Sequence, residues 1–223
     1  MIKSISSLKE LIYPAICLSC SSTGMKICSK CLLMWRINPV KSKIGKYPLY
    51  YSSDYNEHTG SVILAAKESA NKDAIDLLAS SITSSIVLAI KNLHIYQPIV
   101  LITVPSQHAA NRRRGRDHIK ELAKVVIIKL EAIGITAFHL PLLIPSKKIQ
   151  DQSKLNSQQR RANIYQAFLV RKSEVSIGGV ILIDDLVTTG ASILEGIRAL
   201  HEAKITINAV VTACAVGRNS LIR

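Results

Sequence analysis

Apolar positions along the chain fall into short unbroken runs alternating with longer stretches at helical spacing. Val180 to Ile183 and Ile99 to Val104 are continuous and mostly β-branched, the pattern of central parallel strands covered on both faces. Tyr47 to Ser53, Phe138 to Leu143, Phe168 to Arg171 and Thr206 to Ala215 predict further strands. Thr59 to Ser69 and Asp73 to Leu93, rich in Ala, Leu and Ile with polar faces, predict helices, as do His118 to Ile133 and Ser192 to Ala203. This alternation predicts an α/β fold with a mostly parallel sheet and helices on both faces. The apolar stretch near Ile82 to Val104 is interrupted by Lys91, Asn92, His94, Gln97 and Pro98, so no membrane span is expected.

The chemistry concentrates where one of these strands stops. Asp184 and Asp185 follow Ile183, and Leu186 to Ser192 then offers Thr188, Thr189, Gly190, Ala191 and Ser192 before a helix begins. Open α/β sheets bind ligands at the carboxyl ends of their strands, and a helix N-terminus behind a small-residue turn favours a phosphate. Two carboxylates cannot usefully face that phosphate. They suit vicinal hydroxyls or a hydrated magnesium ion instead. The competing reading is a solvated acidic turn with a Thr or Ser helix cap.

Composition adds a second module. Four of the five cysteines form Cys17-x-x-Cys20 and Cys28-x-x-Cys31, paired knuckles that can set four thiolates around a structural zinc, with Ser21 to Gly24 as the turn between them. Disulfides are the alternative. The first ten residues lack the apolar core of a signal peptide, which points to a reducing cytoplasm and favours zinc. Cys214 lies in an apolar run and reads as a buried small hydrophobe.

The net charge of +14 is uneven, with eight basic residues against Glu10 alone over residues 1 to 46. Further clusters lie at Arg112 to Arg116 and from Lys147 to Lys172. Such a balance implies a polyanionic partner, a pyrophosphate or a nucleic acid, unless it is simply a solvated surface. Few aromatics, 4% of the chain, argue against base stacking as the mode of contact. Residues 1–46 are expected to form a basic segment carrying the zinc finger, and 47–223 the main domain. Within it the polar stretch 146–163 is expected to be a lid, with a helix over 157–164 capped by Asn156 or Ser157.

The string from Val180 to Ser192 resembles the phosphoribosyl pyrophosphate signature of type I phosphoribosyltransferases. With the paired cysteines, Val104-Pro105, Arg114-Gly115, Gln152, Arg160, Asn163 and Ala167-Phe168, the chain is similar to the ComF family of competence-associated phosphoribosyltransferase-like proteins. One departure is clear: Arg116-Asp117-His118 stands where that family continues Phe-Asn-Gln. The resemblance implies that Asp184 and Asp185 engage ribose hydroxyls and that Thr188 to Ser192 hold the 5′-phosphate. Val104, Pro105 and Ser106 would cradle pyrophosphate, and Arg114, Gln152, Arg160 and Asn163 would meet the polyanion from the lid side. It also implies Mg²⁺ with the ligand and a role in DNA uptake. Either the protein is a phosphoribosyltransferase, or it keeps the fold and docks on single-stranded DNA or a competence helicase.

Overall fold

The structure, a computed structural model, describes residues 14–35, 39–106, 115–146, 166–171 and 178–217. Its elements are α1 (Ser29–Trp35), β1 (Val40–Ile44), β2 (Tyr47–Asp54), α2 (Glu57–Ser69), α3 (Lys72–Leu93), β3 (Ile99–Thr103), α4 (His118–Glu131), β4 (Ala137–His139), β5 (Leu143–Pro145), β6 (Phe168–Val170), β7 (Gly179–Val187), α5 (Ala191–Glu202) and β8 (Ala209–Ala215). Six strands form one sheet in the order β1-β2-β8-β7-β3-β4. All neighbours are parallel except β1, which pairs antiparallel with β2 at one edge.

Side chains alternate between the two faces of this sheet, and both faces are buried. Leu101, Ile181, Ile183 and Val211 join one core with Val62 of α2, Leu78 and Ile82 of α3, and Ile119 and Val126 of α4. Their neighbours Val100, Ile102, Val180, Leu182 and Val210 join the other, with Ile193, Ile197 and Leu200 of α5 and with Leu143 and Phe168 of the β5–β6 hairpin. The expected α/β fold, with a mostly parallel sheet and helices on both faces, is therefore present.

Local signals delimit the helices. Asn56 and Thr59 form a reciprocal capping box at the start of α2, and the Asn71 side chain caps α3. By length and composition alone, α3 could cross a membrane. Instead, Leu78, Ile82, Ile86 and Ala89 are buried, and the helix packs against β2, β8 and α4. It is a core helix.

Three strand expectations need correction. The predicted strand over 138–143 is two short ones: Pro141, which has no N–H to donate, separates β4 on the main sheet from β5, which pairs with β6. β7 does not stop at Ile183 but runs through both aspartates to Val187, because β8 offers backbone partners out to Ala215. β8 begins at Ala209 rather than 206. The strand β1, Val-Lys-Ser-Lys-Ile, was not expected; its outward lysines suit an exposed sheet edge.

The cysteine module shares the main core. Trp35 is buried there, and Leu18, Ile27, Leu32 and Met34 pack around it. Ser19 and His58 clasp each other: the Ser19 hydroxyl donates to the His58 carbonyl at 3.2 Å, and His58 Nδ1 lies 3.1 Å from the Ser19 carbonyl. Lys26 pairs with Asp73 at 3.0 Å, joining the module to the start of α3.

Candidate functional site

The two aspartates of β7 are adjacent in sequence and unlike in environment. Asp185 is 5% exposed, with His118 Nε2 at 3.1 Å and the Lys67 ammonium at 3.8 Å from its Oδ2. Burial works to raise the Asp185 carboxyl, but Lys67 and the His118 hydrogen bond outweigh it and hold the group below the ordinary carboxylate range. Asp184 is half-buried, and its Oδ1 accepts the backbone N–H of Asp185 at 2.9 Å. Burial, then the charge of Asp185, push Asp184 well above the ordinary value. Among the described residues no cation lies within ion-pair distance of it. One carboxylate is neutralised from within, and the other is left for something else.

Arginine chemistry holds this arrangement in place. The Arg116 guanidinium donates to the carbonyls of Ala66 and Lys67 at 2.7 and 2.8 Å, and it pairs with Glu121 at 2.6 Å. It thereby satisfies carbonyls in the last turn of α2, which helical bonds leave unpaired, and fixes that turn against α4. Lys67 is carried on the same turn. His118, the first residue of α4, also places Nδ1 3.3 Å from the Ser106 hydroxyl, so Ser106, His118 and Asp185 form one hydrogen-bonded chain.

The turn after β7 has the predicted small-residue geometry. Gly190 is left-handed at φ 73° and stands at the N-cap of α5 with no side chain of its own to bond the helix, while the first helical N–H, of Ala191, donates to Thr189 Oγ1 at 3.5 Å. A Cβ at Gly190 would lie 2.4 Å from the Ile44 side chain, so both conformation and space require glycine. Thr188 is exposed, Thr189 and Ser192 are half-buried, and Ala191 is buried. On the neighbouring strand the Val104 N–H donates to the Ile183 carbonyl at 3.1 Å, which extends the β3–β7 ladder and brings Pro105 and Ser106 beside the aspartates. Arg114, Gln152, Arg160 and Asn163, together with most of the 146–163 stretch and its expected helix, lie outside the described residues.

The four cysteines meet. Their sulfur atoms all lie within 4.8 Å of one another, with Cys20 and Cys28 at 3.7 Å. Tetrahedral zinc with Zn–S near 2.3 Å separates its sulfurs by about 3.8 Å, so this donor set fits such an ion. Gly24 at φ 107° turns the chain between the knuckles, and the Cys28 N–H donates to Cys17 Sγ at 3.3 Å. The Ser22 hydroxyl lowers the exposed Cys20 thiol to about 6, while burial pushes Cys31 up to about 12. A bound cation is what would hold thiols as unequal as Cys20 and Cys31 together as thiolates.

No known protein family and no curated protein matches the chain. Among solved structures it is similar to the adenine phosphoribosyl transferase from Trypanosoma brucei in complex with AMP, pyrophosphate and ribose 5-phosphate. The two share 12% identity at a TM-score of 0.39, over 86% of this chain and 81% of that one.

Sequence reasoning missed Lys67 and His118. The tract from Arg112 to Arg116 drew attention for its charge, and the residue next to it that reaches the site is a histidine two positions on. Lys67 bore no local signal at all.

Asp184→Asn should raise the thermal midpoint at pH 7 by relieving a raised buried carboxylate, with the gain over the parent vanishing as pH falls through the Asp184 pKa. Asp185→Asn should lower the midpoint, and that deficit should shrink only as acid titrates the depressed Asp185 carboxyl of the parent. Thermal unfolding of both variants across pH checks the pair. A chelator should release about one zinc per chain, read with a metallochromic dye, and should lower the unfolding midpoint of the whole chain because the module shares its core. Cys31→Ser should arrive with little zinc.

Proposed function

We propose that the ends of β3 and β7 form a binding site for phosphoribosyl pyrophosphate with Mg²⁺, and that the chain is a phosphoribosyltransferase-like protein of the ComF type. The observation that carries this reading is the pairing of Asp184, which has no cation in ion-pair contact among the described residues, with an N-terminus of α5 whose N-cap is a glycine and whose first N–H meets only Thr189 Oγ1 at 3.5 Å. A diol or a hydrated hard cation suits Asp184. Asp185, already compensated by Lys67 and His118, suits the role of holding its neighbourhood together. The N–H groups after Gly190, with the hydroxyls of Thr188, Thr189 and Ser192, suit the 5′-phosphate.

In a transfer reaction the pyrophosphate leaves the ribose C1 as positive charge grows on the ring, and Mg²⁺ would neutralise the leaving oxygens. The work of the chain is then to orient the ring through Asp184, anchor its phosphate on the α5 turn and hold the leaving group near Val104 to Ser106. The cysteine module is the structural zinc finger of this reading, and the reducing cytoplasm its compartment. Isothermal titration with phosphoribosyl pyrophosphate and Mg²⁺ should give saturable binding that the double variant Asp184→Asn/Asp185→Asn abolishes. No binding by the folded protein would sink the proposal.

A second reading, a non-catalytic accessory protein of DNA uptake that docks on single-stranded DNA or a helicase, is favoured by the exposed Lys30, Lys41, Lys43 and Lys46 around α1 and the β1–β2 hairpin. Single-stranded DNA affinity should then fall steeply as salt rises, because phosphate contacts release counterions. A flat salt response would remove it.

A further inference from the structure

We propose that Lys67 binds the pyrophosphate of the ligand at this site, turning the N–H donors of its ammonium to a leaving-group oxygen while it stays beside Asp185. The inference rests on the phosphoribosyl reading above and deepens it by naming a protein cation for the leaving group. Lys67 Nζ lies 3.8 Å from Asp185 Oδ2, within ion-pair range but too long for a hydrogen bond. That oxygen already meets His118 Nε2 at 3.1 Å. The ammonium therefore compensates the charge of Asp185 without spending an N–H donor on it. The Lys67 side chain is 38% exposed, against 7% for Asp185 and 6% for His118, so of the three groups it is the one that meets solvent at the end of the sheet.

Placement decides which of the ligand's two anions Lys67 meets. Helix α5, which begins at the phosphate turn, packs on one face of the sheet through Ile193 and Ile197. Lys67 stands on the last turn of α2, a helix of the other face, where Val62 and Ile63 share a core with Ile119 of α4. Arg116 fixes that turn by donating to the Ala66 and Lys67 carbonyls and pairing with Glu121 of α4. Helix α4 is the one that follows the end of β3, and its first residue, His118, lies within hydrogen-bond distance of both Ser106 and Asp185. Lys67 is thus held on the side of the Val104 to Ser106 segment, where the pyrophosphate is placed, and across the sheet from the 5′-phosphate turn. As the bond from C1 to the pyrophosphate oxygen breaks, its electron pair leaves on pyrophosphate, and an ammonium there stabilises the charge as it grows. No proton is transferred. Because Lys67 remains near Asp185, ligand binding leaves no buried carboxylate uncompensated.

The test compares two ligands that share the ring and the 5′-phosphate, phosphoribosyl pyrophosphate and ribose 5-phosphate, each with Mg²⁺, by isothermal titration. The parent should favour phosphoribosyl pyrophosphate, and Lys67→Met should cut that preference at least about tenfold, the scale of one hydrogen bond to a charged group. Lys67→Arg, which keeps the charge, should restore most of it. A lysine that acts only by steadying Asp185 would weaken both ligands together and leave the preference as it was. That result in a folded variant overturns the proposal, as does unaltered affinity for both ligands. Should thermal unfolding show that Lys67→Met does not fold, acylation of the parent's lysines, read by mass spectrometry, decides the matter. Phosphoribosyl pyrophosphate with Mg²⁺ should then slow labelling of Lys67 where ribose 5-phosphate does not, and equal labelling with the two ligands overturns the proposal. A parent that binds both ligands with equal affinity also overturns it, and leaves the sugar-phosphate site standing. A parent that binds neither overturns the phosphoribosyl reading, and the role of Lys67 falls with it.

Discussion

A carboxylate taken out of water must be compensated or protonated, and Asp185 meets that requirement with an ammonium and an imidazole drawn from two different helices. Losing one partner of a buried charge costs about 3 to 5 kcal/mol, so the need for compensation constrains everything that delivers Lys67 and His118. Helix α2 must end where it does for Lys67 to reach Asp185, and Arg116 binds the carbonyls of that last turn. The same Arg116 is tied to Glu121 on α4, whose first residue is His118. The position of β7 against two helices is thereby encoded in a few polar contacts at one end of the sheet.

Compensating Asp185 is also what leaves Asp184 distinctive. With two carboxylates side by side and Lys67 and His118 in contact with Asp185 alone, burial and the charge of its neighbour make Asp184 the one that is costly to ionise. A ligand or cation that supplied positive charge or hydrogen-bond donors there would gain the energy that the fold withholds. The turn behind it has the opposite polarity, with a glycine start to α5 and only Thr189 Oγ1, at 3.5 Å from the Ala191 N–H, on its first N–H groups among the described residues. Carboxyl groups and a helix N-terminus thus lie within one strand-turn-helix unit.

The cysteine module is bound to this arrangement through α2. Ser19 and His58 clasp the beginning of the helix whose end carries Lys67, and Trp35 sits in the core that α2, α3 and α4 share. The knuckles therefore act as part of the packing on one face of the sheet, in addition to gathering four sulfurs that fit a metal ion.

Local pattern was enough to read the α/β class, the strands β3 and β7, the four principal helices and the cysteine quartet, because each depends on residue types close together in sequence. Continuous β-branched runs predict buried strands wherever they occur, and Cys-x-x-Cys brings two sulfurs together by short-range geometry alone. The same locality explains the errors. The end of β7 depended on how far β8 continued beside it, and β1 depended on β2 being available as a partner, which no window of sequence contains. The inequality of Asp184 and Asp185 was decided only by tertiary structure: Lys67 lies 118 positions from Asp185 and His118 lies 67 away, and a carboxylate's charge is set by whichever groups share its low-dielectric surroundings. The sequence by itself determined which chemical groups stand at the end of the strand. Folding decided which of them is compensated by Lys67 and His118 and which is left costly to ionise.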